Sequence, residues 1–322
     1  MAPWAETIEL RGAGGEPVAF ARTLLSHGVG DLPPNEVAED GSALRTVLSA
    51  GGRAWTVELT APDPAHARLT APGAPHARLT APGAPHARLT APAAAPPAAV
   101  RAQLLAQVRH MLRLDEDLSG FYRAAALDPA LAWATRGAGR MLRSPTVFED
   151  LIKTICTTNC AWSGTVRMVS AIVRELGTPA QGDGERRAFP APEAMAQAGE
   201  AFYRDVARAG YRGAYLRSVA AEVAEGRLDL EALGDPALPD DEVAERLLAL
   251  PGVGPYAMAH MMMLLGRYRR LILDSWTRPT YRRLSGRPRV TDKGIERAFR
   301  RYRDFAGLAF WLTLTEGWVA DV

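Results

Sequence analysis

The stretch Leu250-Pro-Gly-Val-Gly-Pro-Tyr-Ala-Met-Ala-His260 leads through further methionines to the apolar triplet Leu271-Ile272-Leu273 and a single carboxylate, Asp274. Gly252 and Gly254 suit a tight turn around Val253 whose amides stay uncovered by side chains. Such amides at the start of the next helix make an anion cradle that fits one phosphate. Asp274 follows Gly254 by twenty residues. A carboxylate placed there can stabilise developing positive charge and orient or deprotonate a water. It can also serve as a helix cap. Pro279 would remove a hydrogen bond from a helix interior, so that helix is expected to begin after Asp274.

Tyr256 and His260 are one helical turn apart and share a face, where their rings could line a pocket. Electron-rich rings attract a cationic ligand, whereas a His260 protonated in the ordinary histidine range would repel it. Phe310 and Trp311 are further ring candidates, with core packing as the alternative, and Met258, Met261, Met262 and Met263 read as core. Cys156 and Cys160 are too few for a disulfide framework, a structural zinc site or a four-cysteine iron–sulfur cluster. Their spacing suggests inert thiols on one helix face.

The elements that must position these residues fall into two regions. "TIELRG", "PVAFARTLL", "ALRTVLS" and "AWTVELT" read as short strands, with Gly51-Gly52 suiting a hairpin and "HGVGDLPPNEV" a loop. From about residue 59 to 95, ten-residue units of the type "LTAPGAPHAR" recur in tandem. Proline at 62, 72, 82 and 92 argues against central strands, so the repeat reads as an extended surface insertion dispensable for activity. His66, His76 and His86 recur with it as copied bystanders. From Val100 the pattern turns helical: Val147, Phe148, Leu151, Ile152 and Ile155 form one apolar stripe, and Val166, Val169, Ile172, Val173 and Leu176 the next. Ser144-Pro145 suits a helix start, Asp240 an N-cap and Gly226 a C-cap. The expectation is an α+β chain, with an antiparallel β domain over 1–100 and an all-helical domain over 101–322.

Net charge is +2, unevenly spread. Residues 251–322 hold 13 basic and 6 acidic residues, against 4 and 8 in residues 1–60. A basic C-terminal lobe fits a polyanionic partner. No apolar run is long enough to span a bilayer, and "MAPWAETIEL" has no secretory pattern, so a cytoplasmic protein is expected.

Over roughly residues 144–322 the chain resembles the helix-hairpin-helix (HhH-GPD) superfamily of DNA glycosylases. "LPGVGPYAMAH" is similar to its hairpin and following helix, "LILDSW" to the segment bearing its catalytic aspartate, and "TEGW" to the C-terminus of 3-methyladenine DNA glycosylase II. "ICTTNCAWSGTVRMV" looks more like the 8-oxoguanine branch. The resemblance implies base flipping and hydrolysis of an N-glycosidic bond, with Asp274 catalytic and Tyr256, His260, Phe310 and Trp311 around the base. It further implies that Gly252, Val253, Gly254, Asn159, Lys153, Arg278, Arg282 and Arg283 meet DNA. Asn159 stands where the family probes the gap or the orphaned base, and a turn or capping role is the alternative for it. Bifunctional members carry a Schiff-base lysine at the place of Tyr256, so monofunctional action is implied, with an alkylated purine as the first substrate and 8-oxoguanine the second. An 8-oxoguanine-type glycosylase/lyase using Lys153 and a non-catalytic DNA-binding module are the rival readings. No metal, organic cofactor or iron–sulfur cluster is implied beyond a monovalent ion at the hairpin. The implied partner is double-stranded DNA with a damaged base, met by a monomer at the bacterial nucleoid.

Overall fold

A computed structural model describes residues 4–61, 67–69, 77–79, 86–91 and 96–319. In chain order, β1 (Trp4–Glu9) and the short helix α1 (Phe20–Leu24) precede β2 (Glu36–Val37) and the hairpin β3 (Ala43–Ala50) and β4 (Arg53–Thr60). Strands β5 (Ala67–Leu69), β6 (Ala77–Leu79) and β7 (His86–Ala91) come from the repeat. Helices α2 (Ala98–Met111), α3 (Ser119–Ala125), α4 (Val147–Thr157) and α5 (Trp162–Leu176) follow, then β8 (Pro179–Ala180) and β9 (Asp183–Arg187). The chain continues through α6 (Pro192–Gln197), α7 (Arg212–Ala224), α8 (Asp240–Leu248), α9 (Pro255–Leu264), α10 (Thr277–Ser285), α11 (Asp292–Phe299) and α12 (Ala306–Thr315). The class is α+β, as expected.

The main sheet runs β1-β7-β4-β3-β2, antiparallel throughout, and β8 joins β4 in parallel. Gly51 and Gly52, at φ +58° and +71°, make the β3–β4 hairpin turn as the sequence suggested. Trp4, Ile8, Leu44, Leu48, Trp55, Val57 and Leu59 build a core on this sheet. Val100, Leu104, Val108 and Met111 of α2 fill it, so the sheet's core extends past residue 100. A second, larger core gathers α3 to α12 around α4 and α9.

Four sequence expectations are corrected here. "PVAFARTLL" contains α1 rather than a strand, because Thr23 and Leu24 turn inward and the Thr23 hydroxyl donates to the Ala19 carbonyl. Thr146, not Ser144-Pro145, caps α4 by accepting the Glu149 amide. Pro239 takes the N-cap of α8, while Asp240 pairs with Arg267 at 2.7 Å. Most consequentially, β7 is a central strand made from the repeat. The prolines do not prevent this, because residues 86–91 contain none and Pro92 follows the last strand residue. His86 opens this strand; His66 and His76 lie outside the described residues.

The two cores are locked by buried charge. Arg140 is wholly buried and donates to Glu16 Oε1 and to the carbonyls of Arg113 and Glu116. Arg113, also buried, pairs with Glu116 at 2.6 Å and donates to the Leu264 carbonyl at the end of α9. Tyr268 closes the circuit by donating to Glu116 at 2.8 Å. Arg140→Met should strand Glu16 without its cation and lower unfolding free energy by about 3–5 kcal/mol. Denaturant unfolding checks this, and a loss below about 1 kcal/mol would show that water can replace the guanidinium.

Candidate active site and nucleic-acid interface

Helix α8 ends at Leu248, the chain turns through Leu250–Gly254, and Pro255 opens α9. The Val253 amide donates to the Leu250 carbonyl at 3.2 Å. The two glycines differ in their reasons. Gly252 is left-handed at φ +84°, and a Cβ there would lie 2.8 Å from the Tyr215 ring. Gly254 has φ −99°, and a Cβ on it would meet nothing within 4 Å. Nothing within the described residues thus demands glycine at 254, which leaves the backbone there open to solvent beside the first turn of α9, where helix-start amides lack intrahelical partners.

Asp274 sits just before α10, which starts at Thr277, so Pro279 falls harmlessly in the first turn, as anticipated. Asp274 Oδ1 accepts the amides of Trp276 at 2.8 Å and Thr277 at 2.7 Å, and the Asp274 amide donates back to the Thr277 hydroxyl at 2.8 Å. This is a reciprocal cap. Asp274 Oδ2 carries no hydrogen bond among the described residues, which leaves it for a substrate or water.

Tyr256, half-buried in the first turn of α9, receives a hydrogen bond from Thr157 at 3.3 Å. Burial pushes its phenol up, and the nearby Asp274 charge pushes it further. His260 lies 6.1 Å behind it, ring to ring, and packs edge-on against His27 at 5.3 Å. The structure thus brings Tyr256 and His260 together but places His260 in the interior. Burial lowers His260 to about 3, with the neighbouring His27 adding to it, and lowers His27 to about 4. The expected titration of His260 in the ordinary histidine range is corrected accordingly.

Phe310 is also corrected: it is fully buried, packed against Phe299 at 5.2 Å and Tyr281 at 5.9 Å, and belongs to the core. Trp311, mostly buried, donates to the Ser26 carbonyl at 2.8 Å and so ties α12 to the residues before His27. Its ring meets Trp276 at 5.7 Å and Trp318 at 5.9 Å. Trp276 and Trp318 are 39% and 43% exposed, giving an open aromatic surface two residues from Asp274. Neither was singled out from sequence, although Trp276 ends the very segment that carries the aspartate.

Between α4 and α5, Asn159 takes a left-handed conformation at φ +46° and donates to the Tyr211 hydroxyl at 3.3 Å. Tyr211 is 54% exposed, with the Arg212 guanidinium 4.6 Å over its ring and donating to the Thr158 carbonyl. Trp162, also exposed, lies against Gly28, where a Cβ would fall 3.1 Å from its ring. Tyr211 and Trp162 were missed because an aromatic beside arginine or at a helix start has no periodic signal. Cys156 is buried, but Cys160 lies beyond α4 and is exposed, so the shared-face reading fails for it.

Of the expected DNA contacts, Lys153 is withdrawn by burial and Arg278 is paired at the surface. Lys153 is wholly buried, paired with Glu149 at 2.7 Å and donating to the Leu32 carbonyl and Ser144 hydroxyl. It can neither grip a phosphate nor attack a sugar from there. Arg278 forms a two-pronged pair with Asp292 at 2.7 and 2.9 Å. Arg282 and Arg283 remain exposed in the last turn of α10. Among the described residues no group of three or more His, Cys, Asp or Glu side chains could hold a metal, and no helix is long and apolar enough to cross a membrane.

No protein-family model matches the sequence, and no curated protein matches it. Solved structures do match in fold, DNA glycosylases among them. The 3-methyladenine DNA glycosylase from Archaeoglobus fulgidus superposes with a TM-score of 0.70 at 19% identity, over 98% of this chain and 100% of that one. The 8-oxoguanine glycosylase/lyase of Clostridium acetobutylicum gives 0.65 at 18% identity, over 95% and 94% of the two chains in its apo form. The same enzyme with double-stranded DNA gives 0.65, over 93% and 92%. The chain therefore shares the fold of these glycosylase structures along nearly its whole length.

Two outcomes are expected. Gly254→Ala should fold with unchanged thermal stability yet bind damaged and undamaged duplexes equally less well, because a phosphate contact positions without reading bases; fluorescence anisotropy checks it, and unaltered affinity would remove the hairpin from the interface. His27 and His260 have folded pKa values below the ordinary 6.5, so the unfolded chain binds more protons once pH falls below that value. Stability should be full above pH 6.5 and decline toward pH 4. His260→Leu should flatten this decline by about 1.4 kcal/mol per pH unit, one proton's worth, in unfolding titrations across that window.

Proposed function

We propose that this protein is a monofunctional DNA glycosylase of base-excision repair, which flips out a damaged purine and hydrolyses its N-glycosidic bond. The observation that carries this reading is Asp274: one oxygen fixed by two amides, the other without a hydrogen bond among the described residues, near Tyr256 at the start of the helix after the hairpin and next to the exposed Trp276. Departure of the base leaves positive charge on the deoxyribose, and a carboxylate already held in place stabilises it without reorganising. The second oxygen would then orient or deprotonate the attacking water. The hairpin amides would hold a flanking phosphate, with the carbonyls of Leu250–Gly254 as the groups that would hold a monovalent ion to offset its charge, and Arg282 and Arg283 would add to the grip. Asn159 and Tyr211 would occupy the gap left by the extruded base.

An alkylated, cationic purine is the preferred substrate. The rings of Tyr256, Trp276 and Trp318 favour a cation, and a base that already carries charge leaves with little acid assistance. The neutral state of His27 and His260 supports the same choice, since neither ring adds a repelling charge. The name of the Archaeoglobus neighbour is consistent with it; that of the Clostridium neighbour supports oxidised guanine as the rival. We further propose two domains close to the expected 1–100 and 101–322 division, with α2 packed onto the sheet of the first, acting as a monomer on double-stranded DNA in the cytoplasm, with no catalytic metal or organic cofactor.

Asp274→Asn should cut single-turnover base release by about 10²–10³ while leaving DNA affinity nearly intact. A panel of duplexes, each with one lesion, assays this with and without alkali. Abasic product should stay uncleaved until alkali is added, and borohydride should trap no protein–DNA adduct, because Tyr256 has no amine. A trapped adduct would overturn the monofunctional reading, and its loss in Lys293→Ala would name the exposed lysine responsible. Near-normal release by Asp274→Asn would reduce Asp274 to a helix cap.

A further inference from the structure

The strand joining β1 to β4 comes from one of three identical segments. His-Ala-Arg-Leu-Thr-Ala-Pro occurs at 66–72, 76–82 and 86–92. The third copy supplies β7, with Arg88 opposite Thr7 on β1 and Thr60 on β4, and Leu89 opposite Glu6 and Leu59. The first two supply β5 and β6, which pair with each other outside that sheet. The copies agree over the full length of β7 and the proline after it, so local chemistry gives no preference among them. Moving from one copy to the next shifts the chain by ten residues. Ten is even, so each side-chain position stays on its own face of the sheet.

Only the connecting lengths differ. With the third copy in place, 25 residues separate Thr60 from His86 and 6 separate Ala91 from Ala98. With the second the lengths would be 15 and 16, and with the first 5 and 26. Loop-closure weight falls as the three-halves power of length, which puts the three arrangements within about threefold of one another. We propose that the three copies fill the β7 position interchangeably, so that the repeat is a redundant supply of one indispensable strand. The strand is indispensable because β1, which brings Trp4 and Ile8 to the core, pairs with β7.

Disulfide trapping tests this directly. In a full-length background carrying Cys156→Ala and Cys160→Ser, Thr7→Cys is combined with Arg68→Cys, Arg78→Cys or Arg88→Cys, or with the control Gly73→Cys, whose position falls between two copies of the repeated segment. Opposed residues of an antiparallel ladder lie about 4.5–5.5 Å apart, within disulfide reach. All three register positions should cross-link with yields within about threefold, and the control far less. Cross-linking confined to Arg88→Cys, or equal for Gly73→Cys and Arg68→Cys, overturns the proposal. Proline variants in the native background give an independent measure. Leu89→Pro alone should lower the melting temperature by less than about 2 °C, because two intact copies remain. The triple variant Leu69→Pro/Leu79→Pro/Leu89→Pro should lose about 6–12 °C or fail to fold. A single substitution as damaging as the triple one overturns interchange.

Discussion

Everything near the candidate site depends on the buried circuit of Glu16, Arg140, Arg113, Glu116 and Tyr268. It joins the loop after β1 to the segments after α2 and α9. Such charges are tolerable in the interior only because each guanidinium meets a carboxylate or several carbonyls. Desolvation alone would raise Glu116, but Arg113, Tyr268 and Arg140 outweigh it and hold the carboxyl below its ordinary range. Since α9 ends in this circuit and Asp274 follows ten residues later, the sheet and the carboxylate share one anchored frame. A hydrophobic replacement could match its stability, but it would lose the directional bonds that fix α9 against the sheet.

That frame lets residues distant in sequence meet. Ser26 binds Trp311, His27 meets His260, and Gly28 lies under Trp162. Three consecutive residues thus touch α12, α9 and α5, and Gly28 lets the indole of Trp162 pack close, since a Cβ there would fall 3.1 Å from the ring. The Ser26 hydroxyl accepts the Leu142 amide and His27 meets the Leu142 carbonyl at 2.7 Å, so this strap is pinned on its own backbone as well. The aromatic surface of Trp276, Trp311 and Trp318 is consequently held from both sides of the molecule.

How far the sequence was legible follows from what sets each feature. The hairpin, the position of Asp274 and the later start of α10 depend on Gly, Pro and carboxylate chemistry acting within a few residues, and these were readable. The partners of charged side chains were not. Lys153 looked like a phosphate anchor, yet Glu149 one turn earlier and the Leu32 carbonyl consume its charge. Arg278 looked free beside the site, yet Asp292 fourteen residues on neutralises it. The repeat misled for a different reason: its prolines are local signals, but their spacing brackets a strand instead of breaking one.

Asp274 shows why a structural and a chemical role need not compete. As a cap it satisfies two amides that α10 cannot pair internally. Those bonds, with the return bond to Thr277, lock the side-chain torsion before any ligand arrives. A carboxylate so held has already lost the rotational freedom that a mobile acid would lose in the transition state. An acid on a flexible loop could be as close to the sugar and still be a poorer catalyst, because ordering it would be charged to the reaction barrier. In the proposed mechanism the helix start would prepare the carboxylate, and the second oxygen, which carries no hydrogen bond among the described residues, would be what remains for chemistry.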